Sequence, residues 1–206
     1  MFYNSFGKRA LDVTVSAIAL AALSPVLLGT AVAVRINLGK PVIFKHSRPG
    51  KHTINFDLYK FRTMTDERDL NGDLTPDQNR ITRLGSWLRT TSLDELPELI
   101  NIIKGDMSLV GPRPLLRRYV PYYTNRERRR FDVRPGLTGW AQVHGRNSVS
   151  WNDRLSLDAW YAENVSFSLD IRILLKTLQM VVKRQGVAVV PNSEMQSLDV
   201  ERAEHG

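Results

Sequence analysis

The chain of 206 residues contains no cysteine. A disulfide framework, thiolate-ligated zinc, an iron–sulfur cluster and a thiol nucleophile are all excluded. Histidine is scarce: His46, His52, His144 and His205 are the whole complement, and no two stand at ligand spacing. A metal would therefore need oxygen ligands. Acids are the minority charge, with 21 Asp and Glu against 29 Lys and Arg, for a net +8. A mean hydropathy of −0.26 excludes a polytopic membrane protein, and a hydrophobic content of 42% argues for a folded core over disorder. The length fits one domain, or one domain with an anchor. Excess positive charge suits nucleic acid, an anionic membrane or phosphorylated substrates, and composition alone does not choose among them.

Lysine is missing where positive charge is densest. Residues 113–134 hold eight arginines and two acids, Glu127 and Asp132, a net +6 over 22 residues. The guanidinium fork pairs bidentately with carboxylate or phosphate, whereas lysine is a point charge. A solvated basic face and an anion-binding wall both fit this stretch. Nucleic acid fits less well, since no zinc-finger, RNA-recognition or basic-zipper signature accompanies the arginines.

Charge of either sign is absent from residues 13–34. A helix of that length would measure about 33 Å, enough for a bilayer core. Ser24-Pro25 interrupts the run at its middle, and proline both removes a donor and crowds the preceding turn, so a break is expected there. The run is too long for a secretory signal, and no convincing small-residue cleavage site accompanies it. A buried core helix, a straight span and a helix that enters the bilayer, breaks and returns all compete. Length and the missing polar face disfavour the first. Basic residues flank both ends (Lys8 and Arg9 before, Arg35, Lys40 and Lys45 after). The positive-inside tendency then favours the re-entrant arrangement without eliminating the span.

Farther along, residues 41–45 predict a short strand, Arg48-Pro49-Gly50 a turn, and residues 54–61 the partner strand. A polar loop covers residues 65–79, and residues 80–89 read as helix. A second helix carries Leu96, Leu99, Ile100 and Ile103 at i, i+3, i+4 and i+7, with Gly105 as its stop. Gly111-Pro-Arg-Pro114 and Arg134-Pro-Gly136 read as rigid loops. Ile171, Leu174, Leu175, Leu178, Val181 and Val182 form an apolar helical stripe suited to the core or to a membrane surface.

The most chemically suggestive segment is Arg89-Thr-Thr-Ser-Leu-Asp94-Glu95-Leu-Pro97. Ser92-x-x-Glu95 matches a capping box and Pro97 suits a first turn, so a helix is expected to begin close to Asp94. In that reading the acids only favour the helix dipole. In the chemical reading, a carboxylate at a helix start stays ionised and serves as a nucleophile toward phosphorus. Its neighbour would hold Mg2+, which takes one or two carboxylates plus phosphate oxygens and water. Nearby arginines would balance a pyrophosphate.

Several motifs in order resemble the bacterial sugar transferases, small monotopic polyprenyl-phosphate phosphoglycosyl transferases that initiate glycoconjugate assembly. They are Lys8-Arg9-x-x-Asp12, the Ser24-Pro25 break, Val42-Ile-Phe, Arg48-Pro-Gly, Tyr59-Lys-Phe-Arg-Thr-Met64 and Ser92-Leu-Asp-Glu-Leu-Pro97. Asn101-x-x-Lys-Gly-Asp-Met-Ser108, Val110-Gly-Pro-Arg-Pro-Leu115 and the run from Val133 to Asn147 follow, so the resemblance covers nearly the whole chain to about Gly186. Larger family members carry extra N-terminal spans that this chain does not show.

The resemblance implies an α/β fold, mostly helical with a small β element. It places a re-entrant membrane helix broken at Ser24 and Pro25 in residues 1–36, and a cytoplasmic catalytic domain with interfacial amphipathic helices in residues 37–186. A C-terminal tail occupies residues 187–206. The implied enzyme sits monotopically at the cytoplasmic face of the bacterial inner membrane and moves a phosphosugar from a UDP-sugar to undecaprenyl phosphate, releasing UMP. By resemblance Asp94 is the nucleophile of a ping-pong scheme through a covalent phosphosugar–aspartate, and Glu95 binds the Mg2+ cofactor. Lys60, Arg89, Arg113 and Arg146 are the candidate phosphate or nucleotide contacts. Expected partners are the two substrates and membrane phospholipids, with a homo-oligomer allowed and nucleic acid not. Ser24 is expected to serve a carbonyl freed by Pro25. The rival readings are a membrane-attached glycosyltransferase releasing UDP and a non-enzymatic basic membrane adaptor.

Overall fold

Two helices, α1 (Lys8–Ala22) and α2 (Ser24–Leu38), meet at an angle of 64° in the computed structural model, which describes residues 3–145, 150–183 and 196–203. The bend falls where the sequence predicts it. Pro25 has no N–H to give to the Ala21 carbonyl four residues back, and the Ser24 hydroxyl donates to that oxygen instead, at 2.8 Å. Among the described residues no single helix is long and apolar enough to cross a membrane, and this bent pair reaches that length only as a broken unit.

The start of α1 is fastened to the rest of the chain by its charges. Lys8 Nζ pairs with Asp170 at 2.6 Å, and Arg9 donates to the carbonyls of Ile102 and Ile103 at 2.5 and 2.7 Å. The buried Asp12 carboxylate accepts the Leu109 N–H at 3.0 Å. Lys8 and Arg9 thus have partners within the chain while standing at the basic end of the uncharged run. Arg35 and Lys40, at the other end of the pair, are exposed.

Strands β1 (Ile43–Pro49) and β2 (Asn55–Phe61) form an antiparallel hairpin that pairs Phe44 with Lys60, His46 with Leu58 and Arg48 with Phe56. The predicted turn at Arg48-Pro49-Gly50 is displaced. The strand continues through Pro49, whose missing donor is tolerated at a strand end, and the reversal uses Lys51–Thr53 with His52 and Thr53 at φ of 54° and 61°.

After β2 come α3 (Asp77–Arg80) and α4 (Arg83–Thr90). Helix α4 sits hard against the chain leaving β2: a Cβ on Gly85 would lie 1.9 Å from the Thr63 carbonyl oxygen, so only glycine permits the approach. A 3-10 turn at Leu93–Glu95 leads into α5 (Glu98–Lys104), which ends at Gly105 with φ 97°. The apolar periodicity of α5 is only partly realised, because Glu98, Leu99, Asn101 and Ile102 are buried while Ile100 and Ile103 are exposed. Asn101 turns inward because its amide stitches α5 to β2, accepting from the Tyr59 N–H at 3.0 Å and donating to the Asp57 carbonyl at 2.7 Å.

Strands β3 (Ser108–Val110) and β4 (Gly136–Thr138) pair in parallel, an element hidden in the sequence by the flanking proline-rich loops. The main core gathers Leu58, Leu99, Ile102, Met107, Val110 and Ile173, joining the hairpin, α5 and β3 to α7 (Phe167–Val182). Helix α7 buries Leu169 and Ile173 but exposes Leu175, Leu178 and Val182. The stripe named from the sequence is therefore mostly open: only Leu174 of it packs against the core, Leu175, Leu178, Val181 and Val182 are exposed, and the buried face is the neighbouring one of Leu169 and Ile173.

A second cluster unites Tyr119, Tyr123 and Phe131 with Trp151 and Leu155 of α6 (Trp151–Glu163) and Leu198 of α8 (Leu198–Ala203). Arg202 of α8 forks onto Glu127 at 2.6 and 2.7 Å, and Arg130 makes a buried pair with Asp158 at 2.9 Å. Several arginines of the basic stretch are therefore held by acids or capped by α8. Arg202→Ala should lower the unfolding free energy by about 2 kcal/mol, seen as a lower denaturant midpoint at unchanged m. A loss below about 0.5 kcal/mol would mean that the fork contributes nothing to the fold.

Candidate active site

Lys60 is brought forward by β2, Glu95 by the 3-10 turn, and Arg113 by the loop that follows β3. Lys60 Nζ at 2.6 Å and Arg113 Nη2 at 2.5 Å share one oxygen, Glu95 Oε1. The Arg113 loop is pinned from behind, since Arg130 donates to the Arg113 carbonyl at 2.7 Å. Asp94 stands beside this cluster and is 8% exposed.

The expected capping box does not form. Ser92 is left-handed (φ 58°, ψ 18°), with no side-chain cap, and α5 begins at Glu98 rather than near Asp94. Glu95 is taken by the two cations, which offer a carboxylate more than a lone backbone N–H does. A non-glycine residue at positive φ is strained, and such strain persists where surrounding contacts impose it, often at functional sites.

Glu98 is a third acid that the sequence did not single out. It is buried, with Oε1 3.2 Å from Lys60 Nζ, yet that oxygen lacks a hydrogen bond of proper geometry. The available signal was its spacing: Glu98 lies four residues beyond Asp94, one helical turn on.

These acids are driven apart electrostatically. Burial raises Asp94 to about 6, with the Glu95 charge adding to the shift and Lys60, Arg89 and Arg113 opposing it. Burial acts on Glu95 in the same sense, but Arg113 and Lys60 outweigh it and hold that carboxylate well below its ordinary range. Glu98 is pushed up to about 7, again by burial first, with Lys60 opposing. Arg113 in turn holds its proton more tightly than usual because of Glu95. Near neutral pH Glu95 is a fixed anion while Asp94 titrates, which gives adjacent carboxylates separate capacities.

Arg89, on α4, donates to Thr63 Oγ1 at 3.1 Å and its charge acts on Asp94. The charges of Lys60, Arg89 and Arg113 thus all act on Asp94, while Arg146 lies outside the described residues. His46 and Arg48, absent from the predicted set, share the hairpin face of Lys60 through the strand pairing. Period-two counting from Phe44 would have placed them there.

Two neighbouring carboxylates, Asp94 and Glu95, are the oxygen donors that a Mg2+ at this place would use. No hydrogen bond reaches Glu95 Oε2 among the described residues. No group of three or more His, Asp or Glu side chains that could hold a metal occurs among the described residues. A Mg2+ here would complete its shell with substrate phosphate and water, as this ion commonly does.

The raised Asp94 pKa has a consequence for stability. The folded protein keeps a proton up to about pH 6 that the unfolded chain releases near 3.8. The stabilisation from that proton is complete below the lower value and is lost as pH rises through the upper one. In metal-free protein at pH 8, Asp94→Asn should therefore raise the unfolding free energy by about 1–2 kcal/mol, the gain vanishing below pH 4. A variant less stable than the parent at pH 8 would contradict this electrostatic account.

The bacterial sugar transferase family model matches residues 3–184. The chain is 51% identical over 180 residues to the uncharacterized sugar transferase EpsL of Bacillus subtilis (strain 168), spanning 87% of this chain and 89% of that protein. It is 37% identical over 200 residues to the exopolysaccharide production protein ExoY of Rhizobium meliloti (strain 1021), spanning 89% and 88%. A UDP-N-acetylgalactosamine-undecaprenyl-phosphate N-acetylgalactosaminephosphotransferase of Aeromonas hydrophila is 38% identical over 190 residues, or 86% of this chain and 44% of its own length. The chain spans about two fifths of the longer relatives and most of the shorter ones. With the family match extending over almost all of the sequence, the chain belongs to the bacterial sugar transferase family.

Proposed function

We propose that this chain transfers a phosphosugar from a UDP-sugar to undecaprenyl phosphate at the cytoplasmic face of a bacterial inner membrane, releasing UMP. The observation that carries the reading is a buried carboxylate, Asp94, on which the charges of three cations act and which adjoins a carboxylate that stays ionised. The names of relatives support the substrate classes: one acts from UDP-N-acetylgalactosamine onto undecaprenyl phosphate, and others are an undecaprenyl-phosphate galactose and a glucose phosphotransferase.

In the first half-reaction an Asp94 oxygen attacks the sugar-bearing phosphorus. The bond from that phosphorus to the bridging oxygen breaks, and UMP departs with the oxygen and the electron pair. In the second, an oxygen of the lipid phosphate attacks the same phosphorus and the Asp94–phosphorus bond breaks, restoring the carboxylate. Asp94 must be anionic to begin. A pKa near 6 leaves it mostly ionised at neutral pH and more nucleophilic than an ordinary carboxylate. Glu95 holds Lys60 and Arg113 in place, so their donors are already aimed when the diphosphate arrives, and Arg89 adds charge from the α4 side. Mg2+ bound by Glu95 would neutralise the charge that accumulates on the leaving nucleotide.

The acceptor cannot leave the bilayer and the donor is dissolved in the cytoplasm, so the site must lie at their boundary. We read α1 and α2 as a re-entrant hairpin. Ile18, Leu28, Val32 and Ile36 on that pair, together with Leu175, Leu178 and Val182 on α7, expose the apolar surface that such an anchor requires. The Ser24 hydroxyl satisfies a carbonyl that the bend would otherwise leave bare in lipid.

A panel of UDP-sugars incubated with undecaprenyl phosphate and Mg2+ should release UMP, and UDP in its place would refute phosphosugar transfer. Asp94→Asn should reduce kcat by at least about 1,000-fold while leaving the protein folded. Because the chain has no cysteine, Phe6→Cys and Lys40→Cys report topology directly. Both should react with a membrane-impermeant maleimide only from the cytoplasmic side; labelling of Lys40→Cys from the opposite side would establish a span.

A further inference from the structure

Glu98 takes no part in the two half-reactions, yet it is the most withdrawn acid of the site. It opens α5 and is 2% exposed. Its Oε1 lies 3.2 Å from Lys60 Nζ and is buried without a hydrogen bond. Lys60 is its single ion-pair partner among the described residues. The same ammonium is 2.6 Å from Glu95 Oε1, which Arg113 also reaches, at 2.5 Å. Lys60 therefore stands between two carboxylates, and of these Glu95 alone has a second cation.

The two carboxylates are mounted differently. Glu95 sits on the 3-10 turn with its side chain 19% exposed, whereas the Glu98 side chain is 3% exposed. Helix α5 is fastened to β2 three residues beyond Glu98, where Asn101 accepts the Tyr59 N–H at 3.0 Å and donates to the Asp57 carbonyl at 2.7 Å. Residues three apart share a helix face, so this stitch at Tyr59 sets Glu98 against the next residue of β2, Lys60. An ammonium carries three donors. With one N–H on Glu95 and a second drawn toward Glu98, the third is left for a ligand, and the Lys60 side chain is 22% exposed. Stability does not call for this arrangement. A buried carboxylate that shares a poorly aligned partner is costly, and a neutral isostere relieves the cost.

We propose that Glu98 is a positioning residue: paired with Lys60, it keeps the ammonium from closing fully onto Glu95 and leaves an N–H of Lys60 for the phosphoryl group being transferred. The proposal rests on the phosphosugar-transfer reading, which supplies that group, and adds to it an acid that acts through another side chain. Without the Glu98 charge, Lys60 settles on Glu95. The donor still binds, since a negative charge has been removed from the neighbourhood of an anion. The ammonium, however, is turned away from the phosphoryl oxygens when charge develops on them.

A double-mutant cycle of Glu98→Gln and Lys60→Met tests this. UMP release by the full chain in detergent is followed with polyprenyl phosphate, Mg2+ and the UDP-sugar that the panel selects. The assay is run at pH 8, where Glu98, raised by burial to about 7, is mostly ionised. Glu98→Gln should lower kcat at least about tenfold without raising KM for the UDP-sugar, and should melt no lower than the parent. In the Lys60→Met background the same substitution should change kcat less than about twofold, because its effect passes through Lys60. There it should also raise Tm, because it removes a charge left buried without a cation. Equal losses in both backgrounds, or an unchanged kcat in Glu98→Gln, overturn the proposal. A lower Tm together with a raised KM overturns it too, since that is the mark of a residue that only supports the fold. Should Glu98→Gln fail to fold, Glu98→Asp, which draws the charge back by one methylene, takes its place in the cycle, and equal losses in both backgrounds overturn the proposal in the same way. If UDP were released, the phosphosugar reading would fail, while the cycle would still read whether Glu98 acts through Lys60.

Discussion

One oxygen of Glu95 receives both Lys60 Nζ and Arg113 Nη2, and through it the hairpin, the turn before α5 and the loop after β3 are held together. These segments are apart in the chain, and Asn101 and the main core join them further. Removing the Glu95 charge would leave two converging cations facing each other, and breaking a partly buried pair in this way costs on the order of 3 kcal/mol or more. The same contact sorts the acids. Because Glu95 is satisfied by two cations, its proton is lost early, and burial falls instead on Asp94 and Glu98, whose pKa values rise to about 6 and about 7. Architecture and reactivity thus share a single electrostatic cause.

The net charge of +8 resolves into groups with different tasks. Lys8 and Arg9 bind α1 to α5 and α7. Arg130 and Arg202 are spent on Asp158 and Glu127, tying the basic stretch to α6 and α8. The charges of Lys60, Arg89 and Arg113 act on Asp94. Arg9 and Arg48 form no ion pair among the described residues, and Arg9 is held by carbonyls instead. A composition that at first suited nucleic acid, membrane or phosphorylated substrate is therefore largely committed to contacts within the fold.

Much of this was legible in the sequence where chemistry is local. The Ser24-Pro25 break follows from proline's missing donor, the Gly105 stop from its freedom at positive φ, and the hairpin from its alternating strands. Asp94, Glu95, Lys60, Arg89 and Arg113 were named from motifs, and the fold brings them together. What escaped was decided by distant partners. The capping box at Ser92 had the right letters, but Glu95 found stronger partners in Lys60 and Arg113. The α5 stripe misplaced Ile100 and Ile103 because Asn101 is turned inward by β2. The β3–β4 pairing joins residues separated by an arginine-rich stretch, and its glycines approach too closely for any local pattern to announce. Glu98 and Arg48 looked like ordinary helix and strand residues until burial without a matching partner set them apart.

The account centres on Asp94 as the group that forms a bond to phosphorus. Purified protein in detergent, with Mg2+ and UDP-sugar but no lipid acceptor, can be quenched and analysed by intact-mass and peptide mass spectrometry. The account predicts a mass increase of one phosphosugar on the peptide that contains Asp94, one UMP released per protein, and neither event in Asp94→Asn. A complete absence of adduct under conditions in which the protein turns over with acceptor, or an adduct that persists in Asp94→Asn, would contradict it.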